Sequence, residues 1–477
     1  MKRIDILPDD VLLGIFDFYV DTISQPYDSS DPYILQSEIE EWQLLVQVCR
    51  RWRSLVLGSP HRLNLRLYCG LETPAKDALD VWPPLPLIVC DNLISPLADP
   101  SNVFAALEQS NRVCQVDLEL SAWGLEVVAS HIMQVPFPEL TDLRLSSNIE
   151  YIDDPMVVPD SFLSGSVPPR LRILTLDNIP FPGLPKLLSS ATHLVHLYLR
   201  YIPPTGYISP EAMAALVSSL SSLRILCLKF QFFQYLLDRG SQILPPPKRF
   251  ILPALDEFLF TGDSDYFEDF VTFIDARQLD EMHITFFNQI HSHYPRLARF
   301  INRTSTPSAL YKAQIQLDCW NISVALLARS KTIKIEFLYP EPSRRLSSVI
   351  QICNSSLDPL SAVEDLYIGL QHKDLVWEGN PVENTLWLQI LLPFIAVKNL
   401  YLSKGFMPSI AATLHEVAER GITEVLPSLQ NIFVEGLESS GPFHENIGHE
   451  NIGQFVTARQ LSGRPVAISV WSDGEDE

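Results

Sequence analysis

Apolar positions along the chain follow two different rhythms. Near the start, Val11, Leu12, Ile15, Phe16 and Tyr19 recur at helical spacing, as do Leu45, Val48, Cys49, Trp52, Leu55 and Val56, so each segment predicts a helix with one apolar stripe. Pro8 suits the first helical position, where a missing N–H leaves nothing unpaired, and Asp9 and Asp10 follow in the positively polarised first turn. Two short helices cannot bury these stripes between themselves, so apolar surface that includes Phe16 and Trp52 is expected to await a cover.

Further along, the rhythm becomes an alternation. The phrase L-x-x-L-x-L starts at Leu140, Leu171, Leu194 and Leu223, with weaker copies at Val113, Leu255, Leu279, Val363, Val397 and Leu429. Starts from 113 to 279 are separated by 27, 31, 23, 29, 32 and 24 residues, a loose period around that of leucine-rich repeats. Each copy predicts a strand, and 210–217 and 410–419 read as intervening helices. Gln314-Ile315-Gln316-Leu317 and Ile333 to Phe337 also alternate and count as further repeats, and 466–471 reads as a last strand. A lone strand and helix cannot cover their own apolar faces, whereas stacked units bury one continuous leucine column. The Asn that usually follows the phrase occurs in the clear copies only as Asn148, so the turns must satisfy their backbone groups by other means.

The start of the chain resembles a known family. Leu7-Pro8-x-Asp10-Val11-Leu12-x-x-Ile15-Phe16, followed by Val48-Cys49-Arg50-x-Trp52-x-x-Leu55, is similar to the F-box. With residues 60–65 it most resembles the F-box-like proteins abundant in mushroom-forming fungi, although the polar stretch 21–41 is longer than the usual connection. The resemblance implies a helical module that docks on the Skp-type adaptor, and through it a cullin, of a ubiquitin ligase. It implies adaptor-docking or surface-shaping roles for Leu7, Pro8, Ile15, Phe16, Val48, Cys49 and Trp52, and it implies no bond chemistry by the chain itself.

Composition narrows the field. With 477 residues, two units are expected, a small module plus an elongated repeat array. Hydrophobic residues at 47% against 19% charged argue for a folded chain, and 37 prolines favour short elements joined by turns. A formal charge of −22 repels phosphate backbones and anionic lipid, so nucleic acid and membrane partners are not expected. Lys248-Arg249 or Arg344-Arg345 could be called a local basic patch, but two adjacent charges read as a solvated turn. Seven dispersed cysteines without C-x-x-C spacing suit a reducing compartment, and no segment reads as a secretory signal or membrane span, so the cytoplasm or nucleus is expected. His291-Ser292-His293 lacks further ligands at motif spacing, so neither metal, cofactor nor catalytic site is expected.

On a strand whose leucines are buried, the x positions project from the opposite face. Arg144, His196, Tyr198, Arg200, Lys229, Tyr367 and Tyr401 are the candidate target contacts, since aromatic and arginine side chains often anchor partners. The sequence therefore predicts an α/β chain with a small N-terminal helical F-box-like module at 1–70, a connecting segment at 71–110, an irregular leucine-rich-repeat solenoid at 111–471 and an acidic tail at 472–477. Its expected role is the substrate receptor of a Skp, cullin and F-box ligase, with a non-enzymatic repeat scaffold as the alternative.

Overall fold

A computed structural model of the chain describes residues 7–23, 42–60, 62–80, 82–93, 99–147, 157–231, 249–287, 294–304, 310–318, 321–338, 342–354, 357–370, 381–435 and 444–471. The protein is mixed α/β with mostly parallel strands. It divides into two compact units, Met1–Ile208 with Ser219–Leu223, and Ser209–Ser218 with Arg224–Glu477. The division falls inside the strand-rich region, not at the end of the helical start. One reason is local: Trp42 Nε1 donates to the Arg66 carbonyl at 3.0 Å, which ties the early helices to the first strand.

The first unit opens with helices Asp9–Ile23, Trp42–Val48 and Arg50–Gly58. The single stripe expected across 45–56 is corrected here, because Cys49 is extended and breaks that segment into two helices. Six parallel strands follow in chain order: β1 (Leu67–Cys69), β2 (Leu87–Leu93), β3 (Val113–Leu120), β4 (Asp142–Ser147), β5 (Ile173–Asp177) and β6 (His196–Ile202). The expected connecting segment 71–110 is also corrected, since it holds β2 and the helix Ser101–Glu108. Leu87, Ile88, Val89 and Cys90 are all buried, so this strand is apolar on both faces and lacks the alternation that marks its neighbours. Pairing keeps the leucines in register: Val116, Leu143, Leu174 and Leu197 form one buried row, and Leu118, Leu145, Leu176 and Leu199 the next.

In the second unit the strand order is β7 (Ile225–Phe230), β9 (Glu257–Gly262), β11 (Glu281–Phe287), β14 (Thr332–Leu338), β13 (Asn321–Leu327), β12 (Lys312–Leu317), β15 (Asp365–Leu370), β16 (Asn399–Leu402), β17 (Asn431–Glu435) and β18 (Ala467–Trp471). A separate short pair joins β8 (Phe250–Ile251) to β10 (Ile274–Asp275). The alternating segments at 314–317 and 333–337 are strands, but not successive parallel repeats. They are the outer members of a meander in which β13 runs antiparallel to both β12 and β14. β12 then pairs in parallel with β15 and β14 with β11. The buried row still passes through unbroken, from Leu228, Phe260, Ile284, Ile335, Val324 and Ile315 to Ile368, Leu402 and Val434.

Helices cover these rows. In the helix Ser264–Phe273, Phe267 stacks on Phe258 at 5.7 Å and sits 4.8 Å from Phe260, and Phe286 stacks on Tyr294 at 5.7 Å. Burying each such ring contributes about 1.5–3 kcal/mol. Buried Glu268 on the same helix accepts from the amides of Arg296 at 3.0 Å and Leu297 at 2.7 Å, satisfying the open end of the next helix, Pro295–Thr304. Burial raises the Glu268 pKa, against the pull of those two hydrogen bonds.

A backbone staircase replaces the missing asparagines. The Lys398 amide donates to the Glu364 carbonyl and the Gln430 amide to the Lys398 carbonyl, both at 2.8 Å, and the Asp280 amide reaches Asp256 in the same way. Asn178, in the left-handed region at φ 56°, adds one side-chain rung by donating from Nδ2 to the Ser147 carbonyl at 2.9 Å. Asn148 and the acidic tail lie outside the described residues.

Candidate functional site

The helical start has an inward and an outward apolar face. Leu12, Leu13 and Phe16 point in, and Phe16, 0% exposed, packs on the ring of Trp52 at 4.7 Å. Arg51 locks the helix start, donating from Nε to Asp9 Oδ1 at 3.1 Å and from Nη2 to the Leu7 carbonyl at 2.6 Å. Cys49 caps the helix Arg50–Gly58, its Sγ accepting from the Trp52 amide at 3.5 Å. Facing outward are Val11 at 45%, Ile15 at 48% and Phe18 at 74% exposure, spaced four and three residues apart on one side of the first helix. Leu44 at 55% and Val48 at 59% form a second outward pair on the helix Trp42–Val48.

The seven residues that the F-box resemblance singles out therefore separate by role. Pro8, Ile15 and Val48 are exposed, Leu7, Cys49 and Trp52 are half-buried, and Phe16 is interior. The expectation that Phe16 awaits a cover is corrected: Trp52 and its own helix cover it. Val11, Phe18 and Leu44 join Ile15 and Val48 on the outward surface. Apolar residues occur nearly all round 11–19, so helical spacing alone cannot say which side faces out.

The strand faces divide in a similar way. In the first unit, Arg144 sits in register with Asp117 and forms a 3.8 Å ion pair with it. Burial pushes the Asp117 pKa up, and Arg144 opposes that. His196, Tyr198 and Arg200 do converge: the His196 and Tyr198 rings are 6.2 Å apart, and the Arg200 guanidinium lies 5.0 Å from the Tyr198 centroid.

In the second unit Tyr367 and Tyr401 stack face to face at 4.0 Å, with an interplanar angle of 1°. Phe433 extends the stack at 4.6 Å from Tyr401, and Lys312 Nζ lies 4.1 Å from the Tyr367 centroid. Trp471 meets both tyrosines edge-on, at 6.1 and 5.8 Å. Beside the stack, Asp365, Asn399 and Asn431 form a side-chain ladder of 2.7 and 2.8 Å hydrogen bonds. Lys229 belongs to a different row, with Thr261 and Thr285, and is not part of this cluster. Sequence reasoning missed Phe433, Trp471 and Lys312. The signal for Phe433 was its x position in the Leu429 copy, which aligns it with Tyr401.

Among the described residues no group of three or more His, Cys, Asp or Glu gathers to hold a metal, and no helix is long and apolar enough to cross a membrane. His291 and His293 lie outside those residues. No protein-family model matches the chain, and no curated protein is similar to it in sequence.

Proposed function

We propose that this chain is an F-box-like interaction protein: its N-terminal helices dock on a Skp-type adaptor, and the irregular repeat solenoid that follows captures a protein target for ubiquitin transfer by other subunits. The observation that carries the reading is the outward row Val11, Ile15 and Phe18, with Leu44 and Val48, above an interior already filled by Phe16 and Trp52. Side chains left out of a filled interior on two helices that both pack on the helix Arg50–Gly58 are what a docking module offers a partner. Pro8, Ile15 and Val48 are then contact residues, while Leu7, Phe16, Cys49 and Trp52 shape the platform. The chain's mechanism is proximity, since two surfaces on one scaffold raise the effective concentration of target near the ubiquitin-loaded enzyme.

Co-purification of the full chain with a Skp-type adaptor tests this. Tagged wild type retains adaptor and cullin, whereas I15D/V48D loses at least tenfold of both while keeping its circular dichroism and melting midpoint. A folded wild-type chain that retains neither overturns the ligase reading and leaves the repeat scaffold.

A further inference from the structure

Two rows of side chains cross the outward face of β15, β16 and β17, and both are closed at one end and left open at the other. In the aromatic row, Tyr367, Tyr401 and Phe433 stack in turn at 4.0 and 4.6 Å. In the polar row beside it the amides donate in one direction, Asn431 Nδ2 to Asn399 Oδ1 at 2.8 Å and Asn399 Nδ2 to Asp365 Oδ1 at 2.7 Å. One cation closes both rows on the β12 side. Lys312 is in register with Asp365, and its Nζ lies 4.1 Å from the Tyr367 centroid.

The end beside β18 carries the same kinds of group without a cation. Phe433 has Tyr401 on one face and no ring or cation on the other among the described residues. Because the amide donors run back toward Asp365, Asn431 is left with an acceptor, its Oδ1, that takes no hydrogen bond among those residues. Glu435 projects from the same face two residues on; it accepts a long 3.4 Å hydrogen bond from the Lys404 amide and forms no ion pair among the described residues. Next to this edge β18 presents small, exposed residues, Ala467 in register with Asn431 and Ser469 with Phe433. Trp471, in register with Glu435, turns back toward β16, where its Nε1 donates to the Leu402 carbonyl at 3.4 Å, and leaves that step uncovered.

We propose that this end of the face is a seat for an arginine side chain of the captured protein. The seat rests on the target-capture half of the function proposed above and not on its adaptor half. A guanidinium is planar, so it can continue the stack on Phe433 while its edge N–H groups reach Glu435 and Asn431. A lysine ammonium is a compact point charge with no face to stack, and a carboxylate or phosphate would meet Glu435 with like charge. The net charge of −22 also favours a basic segment in the partner.

Saturation-transfer NMR titration of the full chain with Nα-acetyl-arginine amide, at low salt and pH 7.5, tests the seat. Saturable binding is expected, with the uncharged isostere Nα-acetyl-citrulline amide and with Nα-acetyl-lysine amide each at least about fivefold weaker. F433L and E435Q should each weaken arginine binding about fivefold or more at an unchanged melting midpoint, since both side chains are partly exposed. E435Q leaves the ring stack in place, so the seat stays testable even where F433L loosens the fold. E364Q, at a carboxylate already paired with Lys398, binds as wild type. I15D/V48D keeps arginine binding and E435Q keeps the adaptor, so the seat and the ligase reading fail separately. No saturable binding to wild type, undiminished binding in F433L and E435Q, or equal or tighter binding of the lysine amide overturns the proposal.

Discussion

The first helix and the strands of the second unit draw on the same aliphatic and aromatic residues, yet they place them oppositely. Along β9, Phe258 and Phe260 disappear beneath the helix Ser264–Phe273, whereas along the helix Asp9–Ile23, Val11, Ile15 and Phe18 stay in the open beside buried Leu12 and Phe16. The inner strands of the array have neighbours on both sides and helices over one face, so their apolar side is occupied, whereas on the edge strand β18 Ile468 and Val470 are exposed. The first helix has one packed side, and Val11, Ile15 and Phe18 on its other side are exposed. An apolar residue thus signals core inside the array and exposed surface on the outer side of a small terminal helix.

The largest effects should come from the filled side of this comparison. F258A is expected to cost about 3–5 kcal/mol in urea unfolding, through lost burial and a cavity against Phe267 and Phe270. F18S, at the most exposed apolar residue of the first helix, should cost under about 0.5 kcal/mol. Equal losses for the two would break the distinction between core and contact.

Thiol chemistry sharpens it on a second axis. Burial, reinforced by Asp117, pushes the Cys90 pKa up to about 12, and burial alone pushes Cys353 to about 12. Folded-state values above the ordinary 9.0 mean the unfolded chain releases these protons first, so stability present below pH 9 is lost as pH rises from 9 toward 12. At pH 8 both thiols should resist iodoacetamide until urea unfolds the chain, as read by mass spectrometry of the alkylated peptides. Rapid labelling of either in the folded protein would contradict its burial.

The smallest effect is expected at the surface. K398A removes a 2.7 Å ion pair with Glu364 in which both side chains are about half exposed, and it should shift stability by under about 0.5 kcal/mol. The neighbouring backbone rung from Lys398 to Glu364 does not depend on that side chain.

Much of the strand array could be read in advance because burial imposes a period of two. The phrases at Leu140, Leu171, Leu194 and Leu223 became β4 to β7, with their leucines in the buried rows. β2 escaped notice because Leu87 to Cys90 are buried on both faces and do not alternate. β13 escaped because strand order is a matter of long-range pairing, which local periodicity does not encode. On the candidate surfaces, Tyr367 and Tyr401 were legible as projecting positions, but their stacking, and the approach of Trp471, depend on a register set across three strand pairs.

The β12–β13–β14 meander also bears on the order in which the second unit assembles. An array of like repeats can grow by laying each new strand beside the last, but the edge left by β11 stays empty until the chain has passed through two further strands and β14 returns to it. β12, β13 and β14 are close in sequence and pair antiparallel, which lets the three strands associate locally first. Growth through this region therefore proceeds by adding a preformed block, and a nascent chain halted after β11 would present its unpaired edge to any other strand nearby.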